Sequence, residues 1–195
     1  MFGNKRRLQR EFKELRRDIS SVVEDASLYQ CDSLTTWRVT MKDFDEEMES
    51  AKDLAEDLVE LKRRFTGFNG KITMELNFTN EYPEEPPLIR IVLPRMIWYT
   101  GFVTAGGSIC AEFLVRGSQK YNKDYKISQL LRMVRFNMLT AERVLVRTST
   151  GPGGMGGPLR VDLNGRYGNP LQPYSLQAAK QAFSRMADNH RQNGW

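Results

Sequence analysis

Thiol and imidazole chemistry is scarce in this 195-residue chain: it has two cysteines, Cys31 and Cys110, and one histidine, His190. The cysteines stand 79 positions apart. Zinc frameworks need clustered Cys and His ligands at short spacings, so the usual metal sites are excluded, and a histidine-based triad is disfavoured with them. A single disulfide fits the count, but two free thiols in a reducing cytosol is the simpler expectation. By residue type alone, the commoner role of either cysteine is a buried apolar filler, and Cys31 is expected to be one, inside a strand. The functional alternative is a nucleophilic thiolate. Cys110 closes an irregular stretch, residues 95–110, that contains Gly101, Gly106 and Gly107 and ends in Ser108-Ile109-Cys110. His190 is expected to be a solvated residue of the last helix, since no acidic or nucleophilic motif lies near it.

The elements that must position these residues form one body. A length of 195 residues, 40% hydrophobic and 27% charged, suits one substantial core, so residues 1–195 are expected to be a single domain. No apolar run is long enough to span a bilayer, and charge rather than an apolar signal core follows Met1. A soluble chain of the cytoplasm, the nucleus included, with no membrane partner is expected. Net charge is +5, and residues 1–17 alone hold seven Lys or Arg against two Glu. Residues 43–60 oppose them with nine carboxylates against one lysine. Such segregation points to docking surfaces. A nucleic-acid groove would interleave aromatic residues with the basic ones, and Phe12 stands at a core-facing spacing instead, so no nucleic-acid partner is expected.

Asn4 is a candidate N-cap for a first helix whose stripe is Leu8, Phe12, Leu15, Ile19 and Val22. Its other face carries Lys5, Arg6, Arg10, Lys13 and Arg17, either as a solvated face or as a docking face. Residues 28–34 and 37–44 read as two strands. A second helix, 46–64, follows from Met48, Ala51, Leu54, Ala55, Leu58 and Leu61, with an acidic outer face. Residues 71–78 alternate as a half-buried strand. Tyr82-Pro83-Glu84-Glu85-Pro86-Pro87 must lie outside the sheet, because proline cannot donate to a ladder, and a fourth strand spans 88–93. Helices return from Ser128, a candidate N-cap, and over residues 175–191. Residues 151–168 hold seven of the fifteen glycines, which reads as a linker more than a lid, and no Gly-Lys-Ser/Thr ending makes it a phosphate-binding loop.

This order of elements resembles a ubiquitin-conjugating enzyme. The resemblance is carried by Tyr82-Pro83-Glu84-Glu85-Pro86-Pro87 before the fourth strand and by Gly107-Ser108-Ile109-Cys110-Ala111-Glu112, which matches the family's active-cysteine segment. Residues 101–114 and the ending 174–195 are most similar to the Q type. The resemblance implies an α+β fold, a four-stranded antiparallel meander flanked by helices, here with an extra acidic helix and a Gly-rich loop as insertions at about 46–66 and 148–173. It also implies a transferase in which Cys110 is the catalytic residue, accepting ubiquitin or a ubiquitin-like modifier as a thioester and passing it to an amine. No cofactor belongs to this chain, since ATP is used by the activating enzyme. The implied partners are the modifier, the activating enzyme, which docks on the basic face of the first helix, a ligase and a protein substrate.

Three departures stand beside the resemblance. The family's His-Pro-Asn is replaced by Tyr99-Thr100-Gly101, and the Q type lacks the asparagine as well. Glu84 occupies the place of a ligase-contacting phenylalanine, and no tryptophan lies within 116–121. Loss of one oxyanion donor costs about 2.7–4 kcal/mol in a well-studied hydrolase, so slow discharge or a substitute donor is expected. The nearest substitutes are the backbone N–H groups of residues 106–108 and the Ser108 hydroxyl, unless these residues only shape a tight turn. Glu112 either orients the attacking lysine or is a surface carboxylate. The departures also allow a second reading, a catalytically silent domain of the same fold that serves as a protein-binding scaffold.

Overall fold

The computed structural model describes residues 2–17, 22–29, 33–42, 44, 49–97, 102–140, 145–146 and 158–192. Cys31, Ile19, the Tyr99-Thr100-Gly101 segment and the N-terminal part of the expected second helix lie outside the described residues.

Helix α1 (Phe2–Arg17) buries Leu8 and Leu15 and half-buries Phe12, while Lys5, Arg6, Arg10, Lys13 and Arg17 face solvent. Asn4 does not cap it. The helix already begins at Phe2, and the Asn4 amide donates to the carbonyls of Thr79 and Asn80 at 3.1 Å each, pinning α1 to the turn before Tyr82. The helix also ends sooner than its stripe suggests: Val22 is buried, but as the residue that enters the first strand.

Strands β1 (Val23–Leu28), β2 (Thr36–Met41), β3 (Thr73–Asn77) and β4 (Leu88–Leu93) form an antiparallel meander in chain order. The first strand therefore lies at 23–28 and not at 28–34. A register shift between Val23 and Asp25 places the buried Val23 and Ala26 three residues apart, which conceals the period of two by which a strand is read. Trp37 pairs with Leu76, and Met74 with Ile91, on the face that makes the core. Phe12, Trp37, Phe78 and Tyr82 continue it as a chain of tilted and edge-on rings with centroids 5.0, 4.6 and 4.9 Å apart.

Helix α2 (Glu49–Arg64) buries Ala51, Leu54, Leu58 and Leu61. Its expected acidic outer face is not what residues 51–64 present. Asp57 is fully buried, Glu60 pairs with Arg63 and Arg64, and Lys52, Lys62, Arg63 and Arg64 are exposed. The paired guanidiniums hold the Glu60 carboxyl down at about 2. Beyond β4, a 3₁₀ turn η1 (Glu112–Leu114) leads to α3 (Ile127–Thr140), and β5 (Leu145–Val146) pairs with β6 (Pro158–Leu159) before α4 (Leu176–Gln192).

The linker expectation fails for the described part of the Gly-rich segment. Arg160, Val161 and Asp162 are buried, and Met96 bridges Val161 through Ile97 N–H to Arg160 O at 2.8 Å and Asp162 N–H to Arg95 O at 3.0 Å. Asp57 of α2 accepts the Arg160 and Val161 N–H groups at 2.7 and 3.0 Å. The Arg160 guanidinium donates to the Met138 and Leu139 carbonyls, where it caps the C-terminal end of α3. Residues 147–157, which hold five of the glycines, lie outside the described residues.

Candidate functional site

Cys110 stands where a short sheet-edge segment gives way to the 3₁₀ turn. Residues 107–109 run beside β4, with Ile91 N–H donating to Gly107 O at 2.8 Å and Ile109 N–H to Ile89 O at 2.9 Å. The chain reaches this edge through a hairpin in which Val103 bridges Ile109, Thr104 N–H donates to Ser108 O and Gly107 N–H returns to Thr104 O. Cys110 N–H donates to Phe102 O at 2.8 Å. Phe102 is the one non-glycine residue with positive φ, at 62°, among those described, and its side chain is partly exposed. A bulky residue in the left-handed region carries strain that its surroundings must hold, and here it adjoins the candidate nucleophile.

Cys110 is a free thiol and is 5% exposed. The proposed acyl transfer requires a sulfur that a carrier can reach, and in this conformation it is nearly covered. Burial disfavours the charged thiolate and pushes the thiol up to about 11. Glu112 is half-buried in the first turn of η1.

The groups expected as substitute oxyanion donors are largely engaged elsewhere. The Ser108 hydroxyl is fully buried and shares a 2.7 Å hydrogen bond with Thr104 Oγ1, while Gly107 N–H is used within the turn. The glycines serve packing. Gly107 has φ of +84°, and a Cβ there would stand 2.6 Å from the Tyr174 ring; a Cβ on Gly106 would stand 2.6 Å from the Ala178 carbonyl carbon. Of the two readings of 106–108, the structure thus favours the tight turn.

Tyr174 is a residue that sequence reasoning did not single out for the site. Its N–H donates to Val92 O at 3.2 Å, its carbonyl accepts from Arg90 at 2.7 Å, and its hydroxyl accepts from Met96 N–H at 3.0 Å. The Arg95 guanidinium lies 4.6 Å from its ring centroid. Arg90 itself is buried in an ion pair with Glu75 at 2.9 Å. The signal in sequence is slight: a tyrosine before Ser175, which caps α4 by accepting from Ala178 N–H at 3.1 Å.

On another side, the Tyr-Pro turn meets the loop that follows η1. Glu84 pairs with Lys123 at 3.0 Å, Glu85 with Arg116 at 2.7 Å, and the Tyr121 hydroxyl donates to Pro83 O at 2.7 Å. Ion pairs thus occupy the place where the resembling family puts aromatic ligase contacts. Beneath them Glu11 of α1, 4% exposed, accepts from Arg7 at 2.6 Å, from the Tyr82 hydroxyl at 2.9 Å and from Ile127 N–H at 3.0 Å. Burial beside this carboxylate drives the Tyr82 phenol far above its ordinary range. Glu11 thereby serves the N-terminus of α3. Ser128, the expected cap, lies within the helix, and Gln129 completes the end by accepting from Lys126 N–H at 2.8 Å.

His190 lies half-buried in the last turn of α4. Among the described residues no His, Cys, Asp and Glu cluster could hold a metal ion, and no helix is long and apolar enough to cross a membrane.

No protein-family model matches the chain. It is 22% identical over 191 residues to "Ubiquitin-conjugating enzyme E2 25" of Caenorhabditis elegans, a match covering 97% of this chain and 42% of that protein. It is 22% identical over 165 residues to the human Q-like ubiquitin-conjugating enzyme protein 1, covering 84% of this chain and 82% of that one. Against the Q-like ubiquitin-conjugating enzyme protein CG4502 of Drosophila melanogaster, identity is 32% over 114 residues, 56% of this chain and 32% of that protein. The chain thus spans under half of the worm and fly relatives. Among solved structures, human ubiquitin-conjugating enzyme E2 G1 superimposes with a TM-score of 0.50 at 17% identity, over 72% of this chain and 97% of that one.

Proposed function

We propose, for a chain that resembles the Q-type ubiquitin-conjugating enzymes in sequence and has the ubiquitin-conjugating fold, that it carries ubiquitin or a ubiquitin-like modifier as a thioester on Cys110 and transfers it to an amine. One observation carries the reading. In the Gly107-Ser108-Ile109-Cys110-Ala111-Glu112 segment, residues 107–109 run along β4 at the edge of the four-stranded sheet and η1 begins at Glu112, two residues after the cysteine. The Cys110 thiolate attacks the thioester carbonyl presented by the activating enzyme, and that enzyme's thiolate leaves. A substrate amine then attacks the new thioester, expels the Cys110 thiolate and gives up a proton. Exchange between thioesters is nearly isoenergetic, so the protein supplies position and a thiolate more than electrophilic assistance.

The covered sulfur sets the rate. While it is covered, the thiol, pushed up to about 11 by burial, is almost wholly protonated at neutral pH. Loading also needs the wall over Cys110 to move, since so little of the residue is open to an acyl carrier. On this reading the exposed Lys5, Arg6, Arg10 and Lys13 dock the activating enzyme. Reversing their charge should slow loading and leave discharge of a preformed thioester unchanged.

The same burial supports a second reading, a silent domain of this fold that binds partners. Incubation with activating enzyme, ATP and ubiquitin followed by a non-reducing gel separates the two. The carrier reading expects a thiol-sensitive adduct that is lost in Cys110→Ala and becomes a more stable ester in Cys110→Ser. No adduct in wild type with a competent activating enzyme, or an adduct that persists in Cys110→Ala, would leave the scaffold reading in place.

A further inference from the structure

Two close contacts tie the turn next to Cys110 to Tyr174 and the start of α4. The Gly106 backbone lies so close to the Ala178 carbonyl that a single added carbon would stand 2.6 Å from its carbon atom. The Tyr174 ring closes over Gly107 in the same way. Tyr174 is in turn held to β4 and its extension by the Val92, Arg90 and Met96 hydrogen bonds, and Ser175 fixes the first turn of α4 behind it. The hairpin so held contains Phe102 at positive φ and delivers Phe102 O to the N–H of Cys110. A strained hairpin relaxes when what over-determines it is removed.

We propose that Tyr174 and the first turn of α4 are a clamp on the 104–108 turn: they are positioning residues that keep Cys110 covered, and loosening them uncovers its sulfur. The clamp stands on geometry alone. Its consequence for acyl transfer rests on the acceptor reading of Cys110.

The experiment is native-state alkylation of the full chain with iodoacetamide at one pH, following the Cys110 peptide by mass spectrometry so that Cys31 is scored separately. Urea unfolding of each variant runs in parallel. Gly106→Ala, which cannot be accommodated against Ala178 without displacement, should speed Cys110 alkylation at least tenfold. Ser175→Ala, which removes the cap of α4 without touching the sheet, should speed it about fivefold. In both, alkylation should stay insensitive to urea well below the unfolding midpoint, the mark of an opening smaller than global unfolding, which a merely structural role would not produce. Tyr174→Phe, which keeps the ring over Gly107, should fall nearest to wild type. Should Gly106→Ala not fold, Ser175→Ala decides the matter by itself. Alkylation that merely tracks global unfolding, or stays at the wild-type rate in a folded Ser175→Ala, overturns the clamp. Thioester formation on the same variants separates the two ideas: faster alkylation with no thioester in any variant keeps the clamp and discards the acceptor, whereas faster loading in step with alkylation supports both.

Discussion

The corner around Glu11 and the edge around Cys110 are buried to nearly the same degree, 4% and 5% exposed, yet they are buried by opposite means. Glu11 is a carboxylate whose oxygens are taken up by a guanidinium, a phenol and a helix N-terminus. Opening that corner would orphan several polar groups at once, so it is a rigid joint between α1, the Tyr-Pro turn and α3. Cys110 is covered as a neutral thiol, a weak donor that behaves as a small apolar group. Exposing the sulfur itself orphans no strong hydrogen-bonding group, so what keeps this edge shut is the packing of Tyr174 and Ala178 on the neighbouring turn. Burial by saturation fixes a surface in place, and burial by cover alone leaves a site that can be uncovered.

The largest expected effect lies at the joint. Glu11→Leu leaves the Tyr82 hydroxyl, the Arg7 Nε–H and the Ile127 N–H without their acceptor and should cost about 3–5 kcal/mol in urea unfolding, with Glu11→Gln losing distinctly less. If Glu11→Leu instead raised Cys110 alkylation while leaving the unfolding midpoint in place, the contrast between joint and edge would fail. Asp57→Ala, which orphans two buried N–H groups, should cost about 2–3 kcal/mol by the same measurement, and Asp57→Asn less.

The edge has a pH signature. The Cys110 thiol holds its proton to about 11 when folded, whereas an exposed thiol ionises near 8.5. The unfolded chain therefore releases the proton first as pH rises. The stability this burial contributes is whole below about pH 8.5 and is lost between roughly pH 9 and 11, up to about 2–3 kcal/mol. Urea unfolding across that range should fall more steeply for wild type than for Cys110→Ala; equal slopes would mean the sulfur is not shielded in solution. Thioester loading, which proceeds through the uncovered sulfur, should rise with pH from 7 toward about 8.5 and flatten above it. The smallest effect belongs to the exposed Glu84–Lys123 pair, where Glu84→Ala should shift stability by less than about 0.5 kcal/mol.

The residues disclose the fold unevenly. Strand β4 lies where its apolar run, interrupted by Arg90, places it, and α3 and α4 begin within one residue of the expected starts, because apolar periods survive a single local irregularity. Strand β1 is hidden by a bulge. The cap of α3 is hidden because Glu11, which serves it, comes 116 positions earlier in the chain. Cys110 can be singled out by its neighbours in sequence, but what holds the turn before it cannot, since Tyr174 and Ala178, which pack on Gly107 and Gly106, come from the far end of the chain. Asp57 shows the same limit from the other side: nothing in an i, i+4 pattern distinguishes a carboxylate turned to water from one that serves another segment's backbone.

That aspartate joins the two stretches that look most expendable. Because its carboxylate completes the backbone of Arg160 and Val161, α2 and the 158–163 segment are reciprocal halves of one joint. A chimera grafting either half onto a simpler relative would inherit a buried anion or a pair of unsatisfied amides, whereas moving both together would carry its own compensation.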